Sequence, residues 1–92
     1  MFDYFAKFKE RRYAYDSFNF WLRQAEENRY HARQRLKWGK TNMAASFENV
    51  AAMSISNARF WVDQIVKMER SDAKKASTRS KLEEQIEKVI QS

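Results

Sequence analysis

The sequence predicts an all-α fold, a small helical bundle of three to four helices. Three observations carry this. The 92 residues include no Pro and one Gly, too few turn formers for a sandwich, a barrel or a doubly wound α/β domain. Hydrophobic residues make up 43% of the chain, and three Trp, four Tyr and seven Phe speak for a real core rather than disorder. Apolar residues recur at helical spacings over most of the length. A chain of this size is expected to form one domain, 1–92, around one modest core.

The first element covers about 2–38, as one long helix or a helix pair. Phe8, Tyr15, Leu22, Ala25, Ala32 and Leu36 fall on one side, with Phe18 beside them. Gly39 is the natural stop, with Lys37 and Lys40 near the negative end of the helix dipole. An unbroken helix to Trp38 would be about 55 Å long at 1.5 Å per residue. A compact chain of this length has a radius of gyration of about 12 Å. Either the chain breaks near Asp16-Ser17, two N-cap residue types, or the molecule is elongated. Arg11 and Arg29 interrupt the stripe and fit a solvated edge or a partner's surface better than a closed core.

The second element is a central helix at about 42–70, capped by Thr41 or Asn42. Its stripe runs Phe47, Ala51, Ser54, Ala58, Trp61, Ile65 and Met68, widened by Val50, Met53, Phe60, Val62 and Val66. That face is too broad for a helix with one neighbour, so it belongs to a central core helix or to a homo-oligomer interface. Ala44, Ala45, Ala51, Ala52 and Ala58 allow close helix approach. The Lys/Ser-rich stretch 71–80 reads as a loop or frayed helix. Ser80-Lys81-Leu82-Glu83 has the form of a capping box opening a short C-terminal helix, about 80–91, with Leu82, Ile86, Val89 and Ile90 on one face.

Charge narrows the function classes. The formal net charge is +6, and ten of the 18 Lys/Arg lie in residues 1–40 against five acids. Residues 41–70 are balanced. The absence of Cys excludes a disulfide framework, a thiolate metal site and a thiol nucleophile. No uncharged run approaches the roughly 20 residues that span a bilayer. Asp3, Lys7, Lys9 and Glu10 speak against a signal peptide, and the expected location is cytoplasmic.

The leading candidate site is the basic, aromatic stretch 29–40. Arg29, Arg33, Arg35, Lys37 and Lys40 alternate there with Tyr30 and Trp38. Cations with Tyr and Trp anchors suit an acidic protein groove. The same composition suits nucleic acid, whose phosphates take cations and whose bases stack on rings. A solvated helix end is the plain alternative. Gly39-Lys40-Thr41 matches the tail of a phosphate loop, but Gln34 stands where the first Gly belongs and no strand precedes it. What remains is an anion-binding candidate, Lys40, Thr41 and Asn42, at a helix N-terminus; plain capping accounts for it equally.

Residues 50–62 partly resemble a helix-turn-helix. Ser54-Ile55-Ser56 would form the turn and a second helix would show Asn57, Arg59, Gln64 and Lys67 to the major groove. Against this, the turn lacks Gly, Asp63 takes the place of an apolar anchor, and one continuous helix explains the same stripe. Glu27 and His31 stand four apart, but a metal would need more ligands than this single His affords, so a surface ion pair is the simpler reading. No catalytic constellation and no cofactor motif is evident. Phe2, Phe5 and Phe8 among Lys and Arg could lie on an anionic membrane, though such faces more often pack on their own core.

The expectation is therefore a non-enzymatic interaction protein that binds an acidic surface of a larger assembly. The runner-up is direct DNA or RNA binding. By analogy of size and composition, small basic phage accessory proteins act as inhibitors or adaptors of nucleic-acid machinery.

Overall fold

A computed structural model describes the backbone of residues 2–92 and the side chains of residues 7–92. Three helices follow one another: α1 (Phe2–Lys37), α2 (Thr41–Lys67) and α3 (Asp72–Gln91). The fold is all-α, within the three-to-four-helix expectation.

The first element is a single helix, so the elongated alternative holds. The molecule measures 57 × 25 × 13 Å with a radius of gyration of 16.0 Å. Asp16 and Ser17 do not cap anything, because Ala14 and Phe18 on either side are fully buried and hold the backbone helical. Asp16 instead faces Arg12 one turn earlier at 4.0 Å.

Gly39 ends α1 as its residue type requires. Its φ is +71°, the left-handed region that L side chains avoid. Lys40 N–H donates to the Arg35 carbonyl at 2.8 Å and Gly39 N–H to Leu36 at 3.0 Å, a Schellman closure. A Cβ at this position would meet no atom within 4 Å. Gly39→Ala should therefore cost backbone strain alone, about 1–2 kcal/mol. Thermal unfolding by circular dichroism should show Tm lower by about 5–15 °C. An unchanged Tm would mean the turn does not need its left-handed residue.

Two predicted helix starts are corrected. The N-cap of α2 is Lys40, with no side-chain cap bond, rather than Thr41 or Asn42. The tight Schellman turn leaves no spacer residue, so the helix begins at once. The third helix starts at Asp72, not near 80. Ser71 Oγ accepts from Lys74 N–H at 3.2 Å, and Asp72 sits favourably in the first turn. Nothing in 73–79 breaks a helix, and Arg79 is tied to Asp63 of α2 at 2.9 Å. The Ser80–Glu83 pattern thus lies inside α3.

The helices form an antiparallel hairpin with α3 laid along one flank. Arg11 pairs with Glu69 and Arg29 with Glu48, so numbers rise on α1 as they fall on α2. Arg59 meets Glu83 and Glu87 while Asp63 meets Arg79, so α3 runs antiparallel to α2. The α1–α2 seam is built on heptads. Phe18, Ala25 and Ala32 are buried at seven-residue spacing, and so are Ala44, Ala51, Ala58 and Ile65. Ser54 joins this seam without a stranded hydroxyl, because its Oγ donates to the Val50 carbonyl at 2.9 Å. Toward the open end of the hairpin the residues grow larger. Phe18, Val62 and Ile65 meet Leu82 and Ile86 of α3 in the main core. Each such side chain stabilises the fold by about 1.5–3 kcal/mol.

The predicted stripes hold in part. Leu82, Ile86 and Val89 are buried as expected, and Ile90 packs beside them. Phe8 and Leu36 are exposed, because the buried positions of α1 are Ala14, Phe18, Ala25 and Ala32. Arg11 lies at a solvated edge with its side chain half exposed, whereas Arg29 is held against α2. Arg11 Nη2 donates to the buried Glu69 carboxylate at 2.9 Å.

Candidate functional site

The stretch 29–40 spans the last turns of α1 and the tight turn into α2. The helix divides its residues between inward and outward directions. Arg29 is half-buried against α2, 3.5 Å from Glu48, and its Nε is buried without a hydrogen-bond partner. Arg33 Nη1 donates to the main-chain oxygen of Ser92 at 2.6 Å, which ties α1 to the end of α3. These two cations are engaged within the fold.

The rest face outward. Tyr30, Lys37, Trp38 and Lys40 are exposed, Trp38 by 61%. The Arg35 guanidinium lies over the Trp38 ring at 5.1 Å and over Phe47 at 5.3 Å. Such contacts hold a cation over an aromatic face without neutralising it. His31 stacks on Phe47 with ring centroids 5.3 Å apart. The turn end therefore presents one exposed tryptophan with Arg35 over its ring and the exposed Lys37 and Lys40 close by in the chain. No acid lies between Arg29 and Phe47. Cations outnumber acids at this end, where Glu48 against Arg29 is the nearest acid, so Coulomb attraction there favours anions.

The anion-binding candidate occupies the start of α2. Thr41 and Asn42 are exposed, no side chain caps the helix, and no acid stands in its first turn. The Asn42 carbonyl accepts from Ser46 Oγ at 3.2 Å. Lys40 adds its charge to the tryptophan end described above.

The nucleic-acid candidates are dispersed. The helix α2 runs unbroken from Thr41 to Lys67, so Ser54-Ile55-Ser56 lies mid-helix and the turn of a helix-turn-helix is not formed there. Heptad packing of Ala51, Ser54 and Ala58 keeps this segment helical. Arg59 points to α3, where it meets Glu83 at 3.6 Å and Glu87 at 3.9 Å. Asn57 lines a groove on the opposite flank, and Gln64 follows it seven residues later. Lys67 stands at the far end beside Lys7, Arg11 and Arg70. The four residues do not share one face.

Of the N-terminal aromatic repeat, the side chains of Phe2 and Phe5 lie outside the described residues. Phe8 is exposed and borders a cleft of about 560 Å³ with Arg11, Met68 and Glu69. Among the described residues, no three His, Asp or Glu gather as a metal site, and no helix is long and apolar enough to cross a membrane.

One feature escaped the sequence reading as a site. Tyr13, Phe20, Met53 and Phe60 are exposed on the flank that α3 leaves open. Their signal was present as two pairs seven apart, Tyr13–Phe20 and Met53–Phe60, each offset from its helix's buried heptad.

Fold and surface together define a small basic three-helix protein built on one long hairpin. Comparison with protein-family models, with curated proteins and with solved structures finds no match.

Proposed function

We propose that this protein is a non-enzymatic interaction module that docks an acidic surface of a larger intracellular assembly through its hairpin turn. The observation that carries this is the exposed Trp38 with Arg35 over its ring, beside the exposed Lys37 and Lys40 in the chain. The cations steer an acidic partner toward the turn, and Trp38 with Tyr30 supplies the desolvated anchor. Arg29 and Arg33 hold the turn end to α2 and α3 rather than meeting the partner. A role as inhibitor or adaptor of nucleic-acid machinery follows from the analogy of size and composition.

Direct nucleic-acid binding is the competing outcome. The decisive experiment has two stages. Anisotropy of labelled duplex and single-stranded DNA at two salt concentrations should show only weak binding that vanishes as salt rises. Partner capture should then survive with the wild-type chain. Trp38→Ala should weaken it by about 2 kcal/mol, roughly 30-fold, more than any single Lys→Ala. Sub-micromolar, sequence-preferring DNA binding at about 150 mM salt would replace this reading with the nucleic-acid one. Unchanged partner binding by Trp38→Ala would remove the turn as the site.

A further inference from the structure

Resting on the turn docking proposed above, we infer that Arg35 is the residue that recognises the partner there, its guanidinium a pre-set fork for one side-chain carboxylate of an acidic protein segment. The backbone fixes the residue first. The Arg35 carbonyl accepts from Trp38 N–H at 3.2 Å and from Lys40 N–H at 2.8 Å, so Arg35 and Trp38 are held by the same closed turn. The side chain is fixed next. Its guanidinium carbon lies 5.1 Å from the centre of the Trp38 ring and 5.3 Å from that of Phe47 on α2, which also carries His31 at 5.3 Å. One cation is thus supported by a ring of the turn and a ring of the second helix. Contacts made through ring faces leave the N–H edge of a guanidinium unused.

That edge is unpaired. Among the described residues five other arginines meet a carboxylate and Arg33 donates to the Ser92 main-chain oxygen, whereas the Arg35 guanidinium does neither. Glu48, beside Phe47 in the chain, is taken by Arg29 at 3.5 Å. Arg35 is half-buried, yet among the described residues Arg29 Nε is the one side-chain polar atom buried without a partner, so the Arg35 donors reach solvent. An arginine that gives no donor to the fold, and whose freedom is already reduced by its aromatic supports, binds an anion at a lower entropy cost. A planar carboxylate takes two parallel N–H···O bonds from such a fork. The rings favour a protein carboxylate over nucleic acid. Single strands bind by stacking bases on free ring faces. Here Phe47 is engaged by both His31 and Arg35, and Arg35 lies over the Trp38 ring. The exposed Lys37 and Lys40 add attraction without geometry.

Proton–nitrogen NMR of the full chain titrated with hexaglutamate tests this. The Arg35 Nε–H and Trp38 indole signals should shift more than the Nε–H of Arg23, an exposed arginine in the middle of α1. Arg35→Lys keeps the charge and loses the fork, so the dissociation constant should rise by about tenfold or more while Tm and helical content are kept. Lys37→Gln removes a charge from the same end and should cost less. In a Trp38→Ala background Arg35→Lys should cost less than in the wild type, because one support of the fork is already gone. A purely structural contact would show that coupling in Tm and not in binding. Hexaglutamate that moves the Lys37 and Lys40 amides but leaves Arg35 still, or that binds Arg35→Lys as well as wild type, overturns the inference and leaves turn docking standing. No shift anywhere at the turn overturns both. A stronger response of Arg35 to a single-stranded oligonucleotide of the same charge puts a phosphate in place of the carboxylate and overturns the inference as well.

Discussion

Phe18→Ala should be the most damaging single truncation in the molecule, lowering stability by about 3–5 kcal/mol. Among the described residues Phe18 is the largest fully buried side chain, and it shares one core cluster with all three helices: Ala14 on its own helix, Val62 and Ile65 on α2, Leu82 and Ile86 on α3. Truncation removes the contact area and leaves a cavity that long, straight helices cannot collapse to fill. A domain of this size has about 5–14 kcal/mol of stability, so a large share is lost. Tm should fall by about 15–30 °C in calorimetry or circular dichroism. Tyr30→Ala on the same helix is the comparison, because Tyr30 is exposed and its loss should change stability by no more than about 0.5 kcal/mol. If the two variants melt together, the core does not close over Phe18 and α3 is not its lid.

The sequence carried the helices well and their ends less well. The α1 stop is legible because Gly39 is the chain's one glycine, the residue type that takes a positive φ without strain. The length of α1 was not, because Asp16-Ser17 looks like a cap locally and only the burial of Ala14 and Phe18 overrules it. The same competition moved the start of α3. Ser80–Glu83 has the right letters for a capping box, yet Ser71-Asp72 stands earlier and the chain between them has no breaker. The roles of Arg11 and Arg29 depend on acids 58 and 19 residues away, Glu69 and Glu48, a pairing that local periodicity does not reveal. Within the candidate site, composition marked the stretch 29–40 but could not separate the inward Arg29 and Arg33 from the outward Lys37, Trp38 and Lys40. That division follows from where α2 and α3 lie.

Alanine placement decides how closely the hairpin closes, and a pair of adjacent substitutions should separate this from helix propensity. Ala51→Leu should cost about 1–3 kcal/mol, while Ala52→Leu should cost no more than about 0.5 kcal/mol. Leu is nearly as good a helix former as Ala, so propensity alone predicts two near-neutral changes. Ala51, however, is buried at the seam, one heptad from both Ala44 and Ala58, and Ala52 is exposed on the next position round the helix. A leucine at 51 must push α1 and α2 apart or leave its rotamer, because the facing residues of α1 are themselves the buried Ala25 and Ala32. The consequence reaches past stability. Phe20 on α1 and Phe60 on α2 border one groove only while the seam holds their helices at this separation. Ala51→Leu should therefore lower Tm and shift the spacing of the groove between Phe20 and Phe60, whereas Ala52→Leu should alter neither. Equal tolerance of both changes would mean that the helices are not in alanine-mediated contact. The groove would then lose the packing that sets its width.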